Sequence, residues 1–455
     1  MSTKTISRRG FLRTAAAAAI GIPTIIPASA LGRITTPPSD RITLGHIGVG
    51  GRGGDLLNEF LQVEKSQSVA VCDCFGDRRQ ARAQQINAHY ADKFGLAAYR
   101  GVHEFGDFRE LLLHQDIDAV VIATPDHWHV PIGIAAVRSG KHIYVEKPLG
   151  VSIRENQAMR RAVQESGAVF QYGTQQRSWG QFRFACELVR NGYIGRLHTM
   201  HAWCPDITSQ SADFVAHGGS QQPIPVPTGF DYDLWLGPAP WSPYTADRCR
   251  NYGTYHHYDN SLGFIAGWGA HPLDIAQWGN NTDDTAPIEY HGNGQLAEGL
   301  FTSVSAWDFR CLYANDVTLR FMNEATAKPI VSAYHPAFRD HGTTFIGDEG
   351  WVSVDRYGIY AAPEALLNVK LRPSDLHLLE RDKHAMHFIE CVRTRIPTLC
   401  PVNTAVQSDF ISHLCDISIR VGRKILWNPQ TEEIIGDTEA ARMMSRPLRG
   451  QWRLW

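Results

Sequence analysis

The clearest chemistry-bearing pattern in the sequence is a glycine-rich segment that follows an apolar run. Its spacing is G-x-G-x-x-G, and it reads Gly48-Val49-Gly50-Gly51-Arg52-Gly53. In a turn from strand to helix, such glycines allow a tight bend, close approach of a pyrophosphate to the backbone, and close packing of helix on strand. Because the chain has 40 glycines and such spacings arise by chance, the alternative is a structural turn that binds no phosphate.

An acidic residue follows at a distance that suits a nucleotide ribose. Asp73 lies 20 residues past Gly53, at the end of the second predicted strand. A carboxylate there accepts hydrogen bonds from the adenosine ribose hydroxyls and repels a 2′-phosphate, so we expect NAD rather than NADP. Arg78 and Arg79 follow closely, and they either soften this selectivity or lie on the surface of a helix.

Two further polar segments each follow a predicted strand, where ligands of open parallel sheets bind. The first contains Thr124, Pro125 and His129, which we expect to border the cofactor. His127 and His129 have no third ligand at a metal-binding spacing, so we favour packing or capping roles for both and expect no metal. The second segment is Glu146-Lys147-Pro148, in which Glu146 joins the cofactor-binding set.

Lys147 and His271 are the candidates for proton transfer. At the end of a strand, Lys147 would lie between nicotinamide and substrate and donate a hydrogen bond to the reacting oxygen or move a proton. His271 would act as the general base, with Asp274 one helical turn further on to orient it or to cap the turn. The alternatives are a surface lysine and a structural histidine. The candidate substrate residues are Lys147, Arg177, Trp268, His271 and Asp274.

The elements that must position these residues alternate along the first part of the chain. Strands are predicted at 42–49, 68–72, 117–123, 142–145 and 168–172, and helices at 55–63, 77–90, 129–139 and 153–165. This alternation predicts a doubly wound parallel sheet of the Rossmann type. We therefore expect an α/β cofactor-binding domain over residues 41–175.

The pattern changes after about residue 180. Alternating segments at 197–203, 317–321 and 344–346 predict a mixed, largely antiparallel sheet, and helices are predicted at 182–191 and 383–393, before a long tail. We expect residues 176–455 to form an α+β domain that binds the substrate. This region contains tryptophans that either fill the core or stack on sugar rings, namely Trp203, Trp235, Trp241 and Trp268.

The first 30 residues are expected to be an export signal rather than part of the fold. Arg8 and Arg9 precede a modest apolar stretch, and Ala28-Ser29-Ala30 then supplies a small-x-small cleavage site. This order is typical of a twin-arginine signal, which exports folded proteins to the periplasm or beyond. The alternative is a buried amphipathic helix. Residues 31–40 are expected to be a linker.

Composition excludes several classes of protein. The length of 455 residues suggests two domains, and a formal charge of −2 offers no basic field for nucleic acid. No run of about 18 apolar residues lies beyond the N-terminus, so we expect no transmembrane segment. The nine cysteines lack zinc-type spacings, and we interpret most of them as small buried hydrophobic residues.

Together these segments resemble the glucose–fructose oxidoreductase/inositol dehydrogenase/MocA family. The Glu146-Lys147-Pro148 tripeptide is the most specific match, and residues 263–274 also match. The resemblance implies a Rossmann domain, a second domain that often forms homo-oligomers through an open sheet, and Lys147 with His271 as the catalytic pair. Residues 233–238 and 422–427 look like a twin-arginine-exported branch. The sequence departs from the family at Gly267, where an acid often precedes the histidine by four residues.

Three functions follow from this resemblance. The first is oxidation of a secondary alcohol of a sugar or polyol by a tightly held NAD(H) that is recycled on the enzyme. The second is an NAD-dependent glycosidase that oxidises a ring hydroxyl transiently and so permits elimination. The third is a sugar-binding protein that has lost its chemistry, an alternative that Gly267 keeps open.

Overall fold

The computed structural model describes residues 40–207 and 218–452. The predicted export signal at 1–30 lies outside these residues, and so does all but the last residue of the predicted linker. The chain divides into two compact units, Met1–Arg41 and Ile42–Trp455, and the elements described below belong to the second.

The first sheet of this unit has six strands and is parallel throughout. Its order is β3-β2-β1-β4-β5-β6, the arrangement of a doubly wound dinucleotide-binding domain. The strands are β1 (Ile42–Ile47), β2 (Ser66–Cys72), β3 (His103–Phe105), β4 (Ala119–Ile122), β5 (His142–Val145) and β6 (Phe170–Tyr172). The helices between them are α1 (Gly51–Leu61), α2 (Gly76–Phe94), α3 (Phe108–Leu112), α4 (His129–Arg138) and α5 (Ile153–Ser166). The predicted Rossmann domain is confirmed.

The glycine segment changes the boundaries predicted for the first strand and helix. Strand β1 ends at Ile47, two residues early, and α1 begins at Gly51, four residues before the predicted start. The four residues from Gly51 to Gly54 include three glycines, which have poor helix propensity and look like a turn in the sequence. In the structure they form the first helical turn, so the backbone N–H groups of that turn face the end of the sheet.

The second sheet has nine strands in the order β13-β12-β11-β7-β10-β9-β8-β14-β15. Only β7 and β10 pair in parallel, which confirms the mixed, mainly antiparallel sheet. The five strands in the middle are β7 (Leu197–Cys204), β8 (Glu289–Leu296), β9 (Val304–Leu312), β10 (Thr318–Asn323) and β11 (Gly342–Gly347). The remaining strands are β12 (Trp351–Val354), β13 (Ile359–Ala362), β14 (Ile425–Asn428) and β15 (Glu433–Ile434).

Nine helices accompany this sheet in the described residues. They are α6 (Gly180–Arg190), α7 (Tyr232–Leu236), α8 (Asn251–His256), α9 (Phe264–Gly267), α10 (Ala270–Gly279), α11 (Glu324–Val331), α12 (His384–Thr394), α13 (Val402–Val421) and α14 (Thr438–Arg442). Helix α12 agrees with its prediction to within one residue. Helix α13 was not predicted, because this stretch was interpreted as part of a tail.

The long helix α13 was not predicted from the sequence because it is buried on nearly every side. Its apolar residues therefore show no stripe, and the polar residues among them are paired inside the protein. Asp409 accepts a hydrogen bond of 2.7 Å from Asn156 on α5, and Ser408 donates one of 3.2 Å to Asp274 on α10. Helix α13 thus holds the Rossmann domain and the second sheet in one unit.

The described residues bear on two sequence expectations, one about the cysteines and one about membrane-spanning helices. All nine cysteines lie among them, seven are buried, and none forms a disulfide. None of the helices within residues 40–207 and 218–452 is long and apolar enough to cross a membrane.

Candidate active site

The glycine segment forms a tight turn against the end of β4. Gly48 has a φ of +80°, and a Cβ atom there would lie 2.7 Å from the backbone of Ala123 and Thr124. A Cβ atom on Gly53 would lie 2.0 Å from the carbonyl oxygen of Gly48. Gly50, Gly51 and Arg52 line a cavity of about 280 Å³, and no side chain caps α1 there. A helix start that is open in this way binds phosphate oxygens.

Asp73 lines the same cavity and is fixed by the backbone. Its carboxylate accepts hydrogen bonds of 2.9 Å from the N–H groups of Val49 and Phe75. Burial raises the pKa of Asp73. Of the two arginines that follow, Arg78 lines the cavity and stacks on Phe75, whereas Arg79 donates to the carbonyl oxygen of Asp73. The part of the cavity that would hold the ribose is therefore lined by one acid, Asp73, and one cation, Arg78.

The second domain covers this end of the cavity. The rings of Phe75 and Phe230 stack with their centroids 3.8 Å apart. Backbone hydrogen bonds on either side join Gly76 to Gly229 at 2.9 Å and Asp231 to Cys74 at 3.1 Å. Further residues after β7 complete the lining, namely Leu234, Trp235, Cys249, Thr254 and Tyr255. We call the segment 229–231 the cover, because it closes the adenosine end.

Thr124, Pro125 and His129 lie beside the glycine turn, as the sequence predicts. The hydroxyl of Thr124 is buried and has no hydrogen-bond partner among the described residues. The ring nitrogens of His129 lie 2.7 Å from the carbonyl oxygen of Pro148 and 2.9 Å from that of Thr124. His129 therefore ties two loops of the site together. His127 is equally structural, since its Nε2 bonds to the carbonyl oxygen of Trp235 at 2.9 Å.

Glu146 and Arg52 form an ion pair between the cofactor cavity and a second, larger cavity. The Nε of Arg52 donates to Glu146 at 2.9 Å, and the amide of Gln175 donates to the same carboxylate oxygen at 2.8 Å. Burial alone would raise the pKa of Glu146, but Arg52 and Lys147 outweigh it and hold that pKa below its usual range. Glu146 therefore stays ionised, and its negative charge favours the charged form of Lys147.

Lys147 points away from this ion pair, across to the second domain. Its Nζ donates a hydrogen bond of 2.7 Å to the carbonyl oxygen of Gly267 and lies 5.9 Å from the ring centroid of Trp268. Burial lowers the pKa of Lys147, and Glu146 and Asp126 partly counter this. Lys147 lines the large cavity, of about 1170 Å³, together with His271 and Trp268. The structure thus brings the predicted catalytic pair to one cavity.

His271 is buried at the start of α10. Its Nδ1 has no hydrogen-bond partner among the described residues. Burial, with Arg356 and Lys147 next in order, lowers the pKa of His271 well below the usual 6.5. The imidazole is therefore neutral at ordinary pH, which is the form that accepts a proton.

Gly267 stands four residues before His271, at the position where the family that this sequence resembles often has an acid. The structure has open space beside it. A Cβ atom there would have only Phe264 and Tyr255 within 4 Å, each at 3.9 Å. The carboxyl groups that border this space come from the Rossmann domain instead, and one of them is Asp126. Asp126 is buried and accepts a hydrogen bond of 2.6 Å from Ser261. Sequence analysis missed Asp126 as a site residue, although it belongs to the motif that supplies His129.

Arg177 and Asp274 do not reach the cavity, and their assignment to the substrate site is corrected here. Arg177 donates two hydrogen bonds of 2.8 Å to the carboxylate of Asp274, and both side chains are buried. Arg177 also pairs with Asp283 at 2.7 Å. Since both charges are satisfied inside the protein, this pair fixes α10 rather than binding a ligand, and Asp274 does not orient His271.

Of the four tryptophans singled out in the sequence, two line a cavity and two do not. Trp268 lines the substrate cavity, whereas Trp203 is fully buried in the core and donates to the carbonyl oxygen of Arg339 at 2.9 Å. Trp235 lines the cofactor cavity, and Trp241 is exposed on the surface. Trp179 lies at the substrate cavity but carried no signal in the sequence.

The cavities form one path. Arg52, Thr124 and Tyr255 are shared by the cofactor cavity and an intermediate cavity of about 380 Å³, which shares Arg52, Lys147 and Trp268 with the substrate cavity. The path has the open start of α1 at one end and the side chains of Lys147 and His271 at the other. This arrangement suits an extended dinucleotide whose reactive ring lies near Lys147, and it defines a Rossmann-fold oxidoreductase.

Comparison with known families gives the same class. The description "Oxidoreductase family, NAD-binding Rossmann fold" matches residues 42–174, and "Oxidoreductase family, C-terminal alpha/beta domain" matches residues 187–319 and 370–454. The chain belongs to the Gfo/Idh/MocA oxidoreductase family.

Individual relatives match a smaller part of the chain. A glycosyl hydrolase family 109 protein of Solibacter usitatus is 34% identical over 155 residues, which are 33% of this chain and 34% of that protein. A protein of the same name from Saccharopolyspora erythraea is 36% identical over 166 residues, 33% of this chain and 35% of that protein. The matches thus span about a third of the length of these curated relatives.

Solved structures share the fold over most of the chain. The scyllo-inositol dehydrogenase of Lactobacillus casei, with bound NAD(H) and scyllo-inositol, is 15% identical and gives a TM-score of 0.57; the match covers 85% of this chain and 99% of that one. The aldose-aldose oxidoreductase of Caulobacter crescentus, complexed with glycerol, is 16% identical with the same TM-score and coverage. At such identities the likeness shows the fold alone.

Proposed function

We propose that this protein is an NAD(H)-dependent oxidoreductase that acts on a secondary alcohol of a sugar or polyol and keeps its cofactor bound through the catalytic cycle. The observation that carries the proposal is that Lys147 and His271 face one cavity, which is continuous with the glycine turn. Asp73 at the ribose end favours NAD over NADP, because its charge repels a 2′-phosphate.

The residues of the site fit a hydride transfer. When bound, NAD⁺ supplies the acceptor for the hydride that leaves the carbinol carbon. Lys147 donates a hydrogen bond to the carbinol oxygen, and the neutral imidazole of His271 takes the hydroxyl proton. The carbon–hydrogen and oxygen–hydrogen bonds of the alcohol break, and a carbonyl group forms. In the reverse direction His271 returns the proton.

The cover supports retention of the cofactor. An adenosine bound between Asp73 and the glycine turn would lie beside Phe75, on which Phe230 of the cover stacks. We infer that the cofactor is released when this stack and the backbone hydrogen bonds beside it open. Retention matters because free NAD(H) should be scarce outside the cytoplasm, which is where the twin-arginine signal proposed for residues 1–30 would place the protein.

Export itself is a proposal with its own test. Arg8 and Arg9 should both be replaced by lysine, and the cells fractionated. The proposal requires that mature protein disappear from the periplasmic fraction, and unchanged periplasmic yield would refute it. The homo-oligomer expected from the family resemblance is likewise a prediction, which sedimentation of the purified protein tests.

A second function is favoured by the names of the relatives. Several are called glycosyl hydrolase family 109 proteins. In a redox-neutral glycosidase the ring hydroxyl would be oxidised, and the acidified proton beside the transient ketone would be lost together with the leaving group on the next carbon. Water would then add to the resulting double bond, and the hydride would be returned to the ketone. The same Lys147 and His271 would serve this reaction, and it too requires a cofactor that stays bound.

The test is turnover without added cofactor. Protein as purified is incubated with sugars, polyols and aryl glycosides, while products and the absorbance of NADH are followed together. Coupled oxidation and reduction of two sugars supports the oxidoreductase, and release of the aryl group without net NADH supports the glycosidase. Turnover that requires added NAD, and that yields one NADH for each product molecule, would refute the proposal that the cofactor stays bound. Binding of a sugar without any turnover would indicate a binding protein.

A further inference from the structure

Three buried nitrogen atoms without partners lie at the substrate cavity. Among the described residues, the amide nitrogen of Gln176, the Nε of Arg356 and the Nδ1 of His271 are buried and have no hydrogen-bond partner. All three residues line the cavity of about 1170 Å³. Unsatisfied buried donors cost folding free energy, so such groups at one cavity point to a ligand that supplies acceptors.

Arg356 is held rigidly at the turn of a hairpin. The turn joins β12 to β13, and the carboxylate of Asp355 fixes it by accepting hydrogen bonds of 2.6 Å from Tyr357 N–H and 2.8 Å from Gly358 N–H. The other oxygen of Asp355 lies 2.9 Å from Nε2 of His335. The fixed turn places Arg356, which is half-buried, in the lining of the cavity.

Aromatic rings, not carboxylates, surround the Arg356 guanidinium. Its central carbon lies 5.2 Å from the ring centroid of Trp268 and 5.9 Å from that of Trp179. In the part of the chain that the structure describes, no carboxylate lies within 4.0 Å of it. Burial lowers the pKa of Arg356, which is the effect of a cation that lacks a close counter-ion.

The two carboxylates that act on the charge of Arg356, Glu146 and Asp340, are already engaged by other groups. Glu146 is held by Arg52 and Gln175, and Asp340 lies 2.7 Å from Nδ1 of His341. The remaining positive charge of Lys147 and Arg356 acts on His271 and contributes to its lowered pKa. A negative charge on the substrate would offset this field and make His271 a better base.

We propose that the substrate is an acidic sugar, whose carboxylate or sulfate oxyanion is bound by Arg356 with help from Gln176. The inference rests on the proposed function, since it names the substrate class of the same cavity. A planar guanidinium donates two parallel hydrogen bonds to a carboxylate and serves a sulfate group equally. Trp268 and Trp179 are placed to stack on the sugar ring beside that anion.

The experiment compares sugars that differ only in charge. Calorimetry measures the binding of methyl glucuronide against methyl glucoside, and of N-acetylglucosamine 6-sulfate against N-acetylglucosamine, to the protein with its cofactor. We expect one acidic member to bind at least about tenfold more tightly than its neutral partner, because charge-assisted hydrogen bonds to a buried anion are strong. The carboxylate and sulfate pairs distinguish the two oxyanions.

Substitutions of Arg356 test whether this residue causes the preference for the acidic sugar. Arg356→Gln should remove the preference for the acidic sugar while binding of the neutral partner changes little, and Arg356→Lys should restore only part of it. The matched control is Arg196→Gln, which removes an exposed arginine that pairs with Asp348 far from the cavity lining. Thermal unfolding of each variant shows that it is folded.

The outcomes separate this inference from the proposed function. Equal binding of acidic and neutral sugars by the unaltered protein, no binding of any acidic sugar, or a preference that survives in Arg356→Gln overturns the inference. Oxidation of neutral sugars without any preference would then leave the proposed function standing. Tight binding of the acidic sugar without reduction of bound NAD would support the inference and refute the proposed function.

Discussion

Replacing Phe230 by alanine should make the protein lose its cofactor. The ring of Phe230 stacks on Phe75, which lines the adenosine end of the cofactor cavity, and only 8% of Phe230 is exposed. Burial of a phenyl ring contributes about 1.5–3 kcal/mol, and an aromatic pair adds about 0.5–1.5 kcal/mol. The neighbouring Tyr232 and Tyr244 would fill part of the space, so we assign the loss about 2 kcal/mol.

A loss of that size changes the opening equilibrium of the cover about 30-fold. If the cofactor leaves through the open cover, its dissociation rate should rise by about the same factor. The assay dilutes the protein into buffer that contains an NAD-consuming enzyme and follows the bound fraction with time. The backbone hydrogen bonds of Gly229 and Asp231 are unaffected by the substitution, so the variant should remain folded.

The matched control is Phe94→Ala. Phe94 also stacks on an aromatic partner, Tyr90, with centroids 5.6 Å apart, but that partner does not line the cofactor cavity, whereas Phe75 does. Its substitution should lower thermal stability without changing the dissociation rate of NAD. The reasoning would be refuted by a folded Phe230→Ala protein that releases NAD as slowly as the unaltered one.

Two further predictions concern residues of the site, and a third concerns buried histidines elsewhere in the fold. Asp73→Ser should narrow the difference between NAD and NADP affinity, and equal affinities in the unaltered protein would contradict the assignment of Asp73. Lys147→Met and His271→Ala should each lower turnover about 10²–10⁴-fold with stability and NAD content unchanged, and full activity in either would exclude that residue. Burial lowers the pKa of His46 to about 3 and of His127 and His384 to about 4. The folded chain keeps these imidazoles neutral while the unfolded chain protonates them below pH about 6.5, so stability should fall with pH, by about 1.4 kcal/mol for each at pH 5.5. Unfolding in urea at several pH values measures this, and a flat profile from pH 7 to pH 5 would contradict it.

The Rossmann domain was predictable because its signals are local. Strands β4 and β5 are short apolar runs, and each is followed by a turn and a helix, so the period of the sequence changes visibly. The residues that follow such strands meet at one edge of the sheet, which is why Thr124 and Lys147 could be placed near each other. For the nine-stranded sheet, the sequence predicted its mixed, mainly antiparallel character but not its strand order, since its pairings join segments far apart in the chain.

Burial and long-range contacts limited the rest. Helix α13 shows no apolar stripe because nearly all of it is buried. Asp274 looked like a partner for His271, and only the fold reveals that Arg177 occupies its carboxylate. Arg356 gave no signal, because its role depends on a hairpin that brings position 356 to a cavity formed by residues from both domains.

Native mass spectrometry of the protein, purified without added cofactor, tests the central claim most directly. The account predicts a folded species heavier than the polypeptide by one NAD for each chain, and conversion of that NAD to NADH when an oxidisable sugar is added. The Gly53→Ala variant should lack this extra mass, because its Cβ atom would collide with the carbonyl oxygen of Gly48 in the turn. A bare polypeptide mass for the unaltered protein, with NAD bound only weakly and reversibly on addition, would contradict the account.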